Sequence, residues 1–531
     1  MTPTVQIYDT TLRDGTQGEG VSFSVEDKLK IARRLDQIGC HYIEGGWPGS
    51  NPKDAEFFQR ARDENFRNAK LCAFGSTRKA GHSVSADANL QALVDSKAPV
   101  VTIFGKSWDF HVYQVLGTTL EENLAMIRDS VAFLKSQGLE VIFDAEHFFD
   151  GYRANPQYAM ATVRAAVHAG ADSVALCETN GGFLPTELQE TVAYVRQAVN
   201  VPLGIHAHND GGLAVANSIL AVEAGCAHVQ GTINGYGERC GNADLCVLIP
   251  NLIFKKRFPS IPEENLVHLT ELSRYVSELA NLNPEVRQPF VGTSAFSHKA
   301  GMHVNALLKD SQTYEHLPPE SVGNKRQVLV SELSGLSNLV YKYRELNLGL
   351  DQESAEYRRI LSELKELEHQ GFQFEGAEGS FELLLRKAYN GYEKPFVLET
   401  MRILTELKDE SHVYSEAIIK LRVKDQVVHT AAEGNGPVNA LDAALRKALE
   451  EFYPAISKIQ LHDYKVRVLN EHAGTGAVVR VLIETGDGRK SWGTVGVSSN
   501  IIEASWQALA DSFAYGILKL SENSGSDESD S

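Results

Sequence analysis

Asp9-Thr10-Thr11-Leu12-Arg13-Asp14-Gly15-Thr16-Gln17 follows a short extended run, Val5-Gln6-Ile7-Tyr8, and so reads as the turn that leaves a first β-strand. It sets a guanidinium beside a carboxylate, then a Gly that permits a tight turn. Taken alone, adjacent Arg and Asp often form no more than a structural ion pair. A distant stretch changes that reading: His206-Ala207-His208-Asn209-Asp210, with Gly241-Asn242 beyond it. Imidazole, carboxylate and amide are the ligand types of a divalent cation.

Working outward, the chain from Val5 to about residue 233 alternates β-rich runs with amphipathic ones. The expected strands are Val5–Tyr8, His41–Glu44, Lys70–Phe74, Val100–Phe104, Glu140–Phe143, Ser173–Cys177, Pro202–His206 and His228–Ile233. Between the first two, Leu29, Ala32, Leu35 and Ile38 recur at helical spacing over Val25–Ile38, with Ser24 placed to cap the start and Gly39 to end it. Strands alternating with helices at intervals of roughly thirty residues predict an α/β fold, a (β/α)8 TIM barrel. An open doubly wound sheet is the competitor, but no GxGxxG follows the first strand. Barrels of this kind carry their chemistry at the C-terminal strand ends. Here those ends hold Arg13-Asp14, Glu44-Gly45-Gly46, Arg78, Lys106, Asp144-Ala145-Glu146-His147, Glu178-Thr179, His206-Ala207-His208 and Gly241-Asn242.

The length of 531 residues asks for two or three domains. A barrel is expected over 1–260, helical connecting subdomains over 261–395, and a further α+β domain over 396–520. That last domain looks duplicated. Val427–Ala432 leads through a Gly-rich turn and Asn439 into a helix over Ala440–Phe452. Ser491–Val497 leads through Ser498-Ser499-Asn500 into a helix over Ile501–Phe513. Such a two-fold repeat suits ligand sensing and dimer formation. Residues 521–531 are Ser-, Asp- and Glu-rich and are expected to be disordered.

A net charge of −18 argues against nucleic-acid or anionic-membrane partners, and no apolar run is long enough to span a bilayer. The six cysteines form no CxxC pair, and no leader precedes the first strand; both point to a cytoplasmic enzyme.

His206 and His208 are two apart on a strand, so both face the same side. With Asp14 from the first strand end and Asn242 after the eighth, they make an open mixed set that suits Mn2+, Mg2+ or Zn2+. A cation there can chelate a 2-oxo acid, with Arg13 stabilising charge on its keto oxygen. Glu146 faces the same mouth and either orients Arg13 or takes part in proton transfer. A salt bridge that only holds Arg13 is the plain alternative. Thr179 offers a hydroxyl to a substrate carboxylate, or is simply a turn residue.

Over nearly its whole length the chain resembles the acyl-CoA-dependent carboxylic acid synthases of the DRE-TIM metallolyase superfamily, which include the 2-isopropylmalate, homocitrate and citramalate synthases. The matching motifs are DTTLRDG at 9–15, HAHND at 206–210, GYGERCGNA at 235–243 and AFSHKAGMHVNAL at 295–307. EGGWPGSNPKD at 44–54, TIFGKSWDFHV at 102–112, ETNGG at 178–182 and WGTVGVSSNIIEASWQAL at 492–509 look like the citramalate-forming branch. One departure is Glu178, where an Asp is expected, which bears on the substrate pocket. The resemblance implies Asp14, His206 and His208 as metal ligands and Asn242 as a weaker or water-mediated one. It implies Arg13 on the keto oxygen, Glu146 beside it, and Thr179 on the carboxylate. His303 would be the base, delivered from the partner subunit's connecting region. It also implies a C-terminal regulatory domain that dimerises and binds isoleucine.

The reaction so implied is a Claisen condensation of acetyl-CoA with pyruvate, giving (R)-citramalate and CoA on a pyruvate route to isoleucine. The rivals are 2-oxoisovalerate (a 2-isopropylmalate synthase) or 2-oxoglutarate (a homocitrate synthase) as acceptor. A lyase would lack the long C-terminal region. A non-catalytic amino-acid sensor would not need Arg13, Asp14, His206 and His208 intact. A biotin-dependent carboxyltransferase would be expected to carry a biotinyl-lysine segment, which is absent.

Overall fold

The computed structural model describes residues 4–329, 341, 355–388, 392–408, 412–469, 474, 476–488 and 490–526. Eight parallel strands close into a barrel in sequence order: β1 (Gln6–Asp9), β2 (Tyr42–Gly46), β3 (Lys70–Ser76), β4 (Val100–Lys106), β5 (Glu140–Glu146), β6 (Ser173–Glu178), β7 (Leu203–Ala207) and β8 (Cys226–Gly231). β8 pairs back onto β1 with Asp9 opposite Gly231, so the sheet has no edge. Every expected strand is present, and most run one to three residues further toward the mouth than their apolar runs indicate.

The first helix, α1 (Val25–Ile38), has the expected limits because both ends are chemically marked. Ser24 and Asp27 form a reciprocal capping box, and Gly39 takes a left-handed φ of 101° that ends the helix. Its apolar side, with Leu29, Ile31, Ala32 and Leu35, is buried in the layer between helices and strands. Inside the barrel the lower layer is a separate small cluster of Tyr8, Tyr42, Cys72, Val100 and Ile142. Above it the interior turns polar, with Glu44, Asp144, His206 and Gln230 all buried.

Two compact units emerge, Met1–Phe296 with Leu317–Arg326, and Ser297–His316 with Gln327–Ser531. The boundary expected after residue 260 is therefore displaced. The helix Leu269–Leu279 belongs to the barrel unit, where Asn234 of the β8 loop donates to Ser273 O and to Ser277 Oγ. The second unit holds two three-stranded antiparallel sheets, Phe396–Lys408, His412–Val423 and Gln426–Gly434, then Gln460–Val468, Val479–Gly486 and Ser491–Ser498. Each sheet is followed by a helix, Pro437–Leu449 and Ile501–Ser526.

Two details differ from expectation. Asn500 does cap its helix, accepting the Ile502 N–H at 2.9 Å, but Asn439 lies inside its helix and reaches back to the Asn435 N–H at 3.1 Å. The final helix also continues through Ser526, into the tail expected to be disordered; Asp527–Ser531 lie outside the described residues. Glu522 anchors that extension, accepting from Arg386 at 2.7 Å and Lys519 at 3.1 Å. Among the described residues no helix is long and apolar enough to cross a membrane.

Candidate metal centre at the barrel mouth

The turn after β1 is shaped by its own side chains. Asp9 accepts both the N–H and the hydroxyl of Thr11, at 2.9 and 2.8 Å, while Thr11 Oγ1 accepts the Ile233 N–H from the β8 loop at 2.8 Å. Thr10 N donates to Gly231 O at 2.8 Å. The seam between first and last strands is thus zipped up to the point where Arg13 and Asp14 emerge.

Asp14, His206 and His208 converge there, all buried, with one potential ligand atom from each lying within 4.8 Å of the others. His206 Nε2 stands 3.2 Å from Asp14 Oδ2 and 3.2 Å from His208 Nε2. Ligand bonds of about 2.0–2.2 Å to a divalent cation put neighbouring donors about 3 Å apart, so the spacing fits. The chemistry of the set fits as well. Two imidazole nitrogens face each other, a poor arrangement unless a proton or cation sits between them. Asn242 donates through Nδ2 to Asp14 Oδ2 at 2.6 Å, while its Oδ1 is buried with no hydrogen-bond partner among the described residues. A short bridge between His208 and Asn242 fixes these loops together, reinforced by Asn209 N on Gly241 O at 2.8 Å.

Burial alone would raise the Asp14 carboxyl, but Arg13 and then His206 hold it well below the ordinary carboxylate range. Burial lowers His206, and contact with Asp14 more than offsets this. His208 is pushed down to about 3 by burial and by His206, which outweigh the pull of Asp14.

Arg13 lies beside Asp14, Nη1 to Oδ1 at 3.4 Å, with its guanidinium 3.8 Å above the Phe74 ring. Its orienting carboxylate is Glu44, not Glu146. Glu44 Oε1 accepts from Arg13 Nε at 2.6 Å, and Oε2 accepts from the Tyr8 hydroxyl at 2.6 Å. Glu146 pairs instead with Lys106, its direct register partner across β4 and β5. Thr179 Oγ1 accepts the His147 N–H at 2.9 Å, and its carbonyl accepts from Arg239 Nη2 at 2.7 Å. Arg239 also grips both oxygens of Asp210, at 2.8 and 3.0 Å, tying the β6, β7 and β8 loops together. His303 belongs to the second unit, exposed on the helix Gly301–Lys309 with its ring stacked 4.2 Å from Tyr314.

Glu178 proves not to line the pocket. It pairs with Ala207, whereas Cys177 pairs with His206, so Glu178 faces the helix layer. There its Oε1 accepts the Gly182 N–H at 3.0 Å. Sequence reasoning gives no role to Glu44, Asp144 or Gln230. Glu44 and Asp144 stand among the strand-end residues, but Gln230 is marked only by strand alternation, which places it on the interior face opposite His206.

Comparison with known proteins agrees with this architecture. The sequence model of the HMGL-like family matches residues 4–276, a homocitrate synthase post-HMGL domain-like model matches 290–371, and the LeuA allosteric (dimerisation) domain matches 375–517. An (R)-citramalate synthase of Aquifex aeolicus is 55% identical over 524 residues, covering 98% of this chain and 99% of that one. One from Geobacter sulfurreducens is 54% identical over 523 residues, with 98% and 99% covered. A 2-isopropylmalate synthase of Methanocaldococcus jannaschii stands further off, at 30% over 511 residues, 96% of this chain and 93% of its own. The chain belongs to the HMGL-like family, in the branch formed by the (R)-citramalate synthases.

Proposed function

We propose that this chain is an (R)-citramalate synthase, joining the acetyl group of acetyl-CoA to pyruvate and releasing (R)-citramalate and CoA. The observation that carries the reading is a guanidinium set against a buried Asp-His-His trio at the mouth of a closed barrel. A divalent cation, Mn2+, Mg2+ or Zn2+, would be held by Asp14, His206 and His208 and would supply Lewis-acid polarisation of the keto group.

The chain's own residues do the rest. Arg13, held by Glu44 and the Phe74 face, balances the negative charge that grows on the keto oxygen. Thr179 accepts the His147 N–H on its oxygen, which leaves the hydroxyl proton free for the pyruvate carboxylate. A base, His303 delivered from a second copy of the chain with Glu146 in support, takes a proton from the acetyl methyl group. The resulting enolate attacks the keto carbon, and water then cleaves the thioester. Asn242 serves as a weaker ligand through its unpartnered Oδ1.

We infer further that the second unit pairs two copies of the chain and binds isoleucine as an end-product effector. The match of 375–517 to an allosteric (dimerisation) domain supports this. The six free cysteines, five of them buried, support work in the cytoplasm.

The test is thiol release from acetyl-CoA with pyruvate, 2-oxoisovalerate and 2-oxoglutarate side by side in Mn2+. Pyruvate should lead in kcat/KM by about tenfold or more, a gap of roughly 1.4 kcal/mol. A lead for 2-oxoisovalerate would move the chain to the isopropylmalate reaction.

A further inference from the structure

Gln230 lies wholly inside the barrel, between Tyr8 on β1 and His206 on β7. Its Oε1 stands 2.9 Å from His206 Nδ1, and its Nε2 donates to Asp144 Oδ1 at 3.0 Å. Asp144 is buried on β5. With Asp144 ionised, the chain of contacts has one consistent proton assignment. A carboxyl oxygen of Asp144 accepts, so the Gln230 amide must turn its NH2 toward Asp144 and its carbonyl toward His206. The imidazole must then donate from Nδ1. A cation needs the Nε2 lone pair, and a neutral imidazole that carries its one ring proton on Nδ1 offers it. Nε2 is the atom that stands 3.2 Å from both Asp14 and His208.

We propose that Gln230, oriented by Asp144, is the positioning residue that locks His206 in its ligating tautomer and direction, and that it thereby sets the affinity of the centre for its cation. This rests on the metal reading above and adds an inequality between the two histidines. His208 Nδ1 has no hydrogen-bond partner among the described residues, so nothing comparable fixes its tautomer. His206 is the pre-organised ligand, and His208 is recruited to it. Partners of this kind on ligating histidines typically change metal affinity by about 10–100-fold when removed.

The test uses metal-free full-length protein titrated with Mn2+, with free Mn2+ read by its EPR signal, in wild type, Gln230→Leu and Gln230→Glu. Leu removes the acceptor, and the dissociation constant should rise about 10–100-fold. Glu keeps an acceptor on Nδ1 but faces Asp144 with a like charge, so Tm should fall while the dissociation constant stays within about threefold of wild type. A side chain that merely fills space would instead order the affinities by Tm. The proposal is overturned if Gln230→Leu binds Mn2+ within about twofold of wild type, or if Gln230→Glu loses affinity as far as Gln230→Leu. Should Gln230→Leu fail to fold, Gln230→Glu alone decides. A wild-type protein that takes up no Mn2+ would overturn the metal centre itself.

Discussion

Two cation–carboxylate pairs stand at the same end of the barrel and are built on different plans. Arg13 with Glu44 bridges β1 and β2, and Glu44 is fully buried and used twice, by Arg13 and by the Tyr8 hydroxyl. The guanidinium is also pressed on the Phe74 ring. Lys106 with Glu146 bridges β4 and β5 by one ion pair in a more open place, with side chains 14% and 24% exposed and the ammonium 5.4 Å from the Phe104 ring centre. A planar fork gripped from below has its direction fixed, whereas an ammonium on a flexible stem gives a contact that a ligand can trade for its own. The first pair holds its cation in one direction, and the second leaves its cation room to turn.

Removing the anchor of the first pair should have the largest effect. Glu44→Ala leaves the buried Arg13 Nε without its acceptor and the Tyr8 hydroxyl with Thr102 Oγ1 alone, and a loss of about 3–5 kcal/mol is expected in urea unfolding. A loss comparable to that of a surface pair would erase the distinction drawn here. Arg13→Lys keeps the charge but not the fork, and kcat should fall roughly a hundredfold to a thousandfold while Mn2+ affinity holds within about twofold. If metal binding collapses with kcat, Arg13 acts on the ligand set and not on the substrate.

Lys106→Ala sharpens the other side of the comparison. Its stability cost should be about 1 kcal/mol or less, with Mn2+ affinity unchanged and the whole effect read in KM and kcat. Glu178→Gln should be smallest of all in activity, since the side chain faces the helices. Its signature is in pH. Burial raises the Glu178 carboxyl from 4.5 to about 7, so the stability it contributes as a neutral acid is full below its unfolded value and is lost as pH rises through about 7. Gln cannot ionise, so Tm of the variant should gain on wild type between about pH 5 and 8, with kcat/KM unchanged. Parallel Tm curves would refute the buried neutral carboxyl.

The barrel and the three side chains that converge at its mouth are legible because local chemistry marks them. The limits of α1 were readable because Ser24, Asp27 and Gly39 carry its caps on the spot. Asp14, His206 and His208 were readable because a strand end announces itself by the switch from apolar to polar residues. The partner of Arg13 was not. Whether Glu44 or Glu146 meets it depends on how β1 to β5 stagger around the barrel, and stagger leaves no mark in any one strand. Gln230 was hidden for the same reason, as a polar residue in mid-strand whose meaning comes from His206 on the neighbouring strand. The last turn of the final helix was misjudged because composition weighs only neighbours. Glu522 is held by Arg386, 136 positions away.

The seam between β1 and β8 has a consequence for how the protein comes into being. Asp14 leaves the ribosome 228 residues ahead of the Asn242 amide that touches it. A nascent chain that ends before β7 therefore owns one of the three convergent ligands and cannot hold a cation in this way. Synthesis must reach the last strand, and that strand must find the first, before the centre exists at all. If the proposed centre is right, metal uptake reports a finished barrel, which a chain stalled or cut short during translation is unable to imitate.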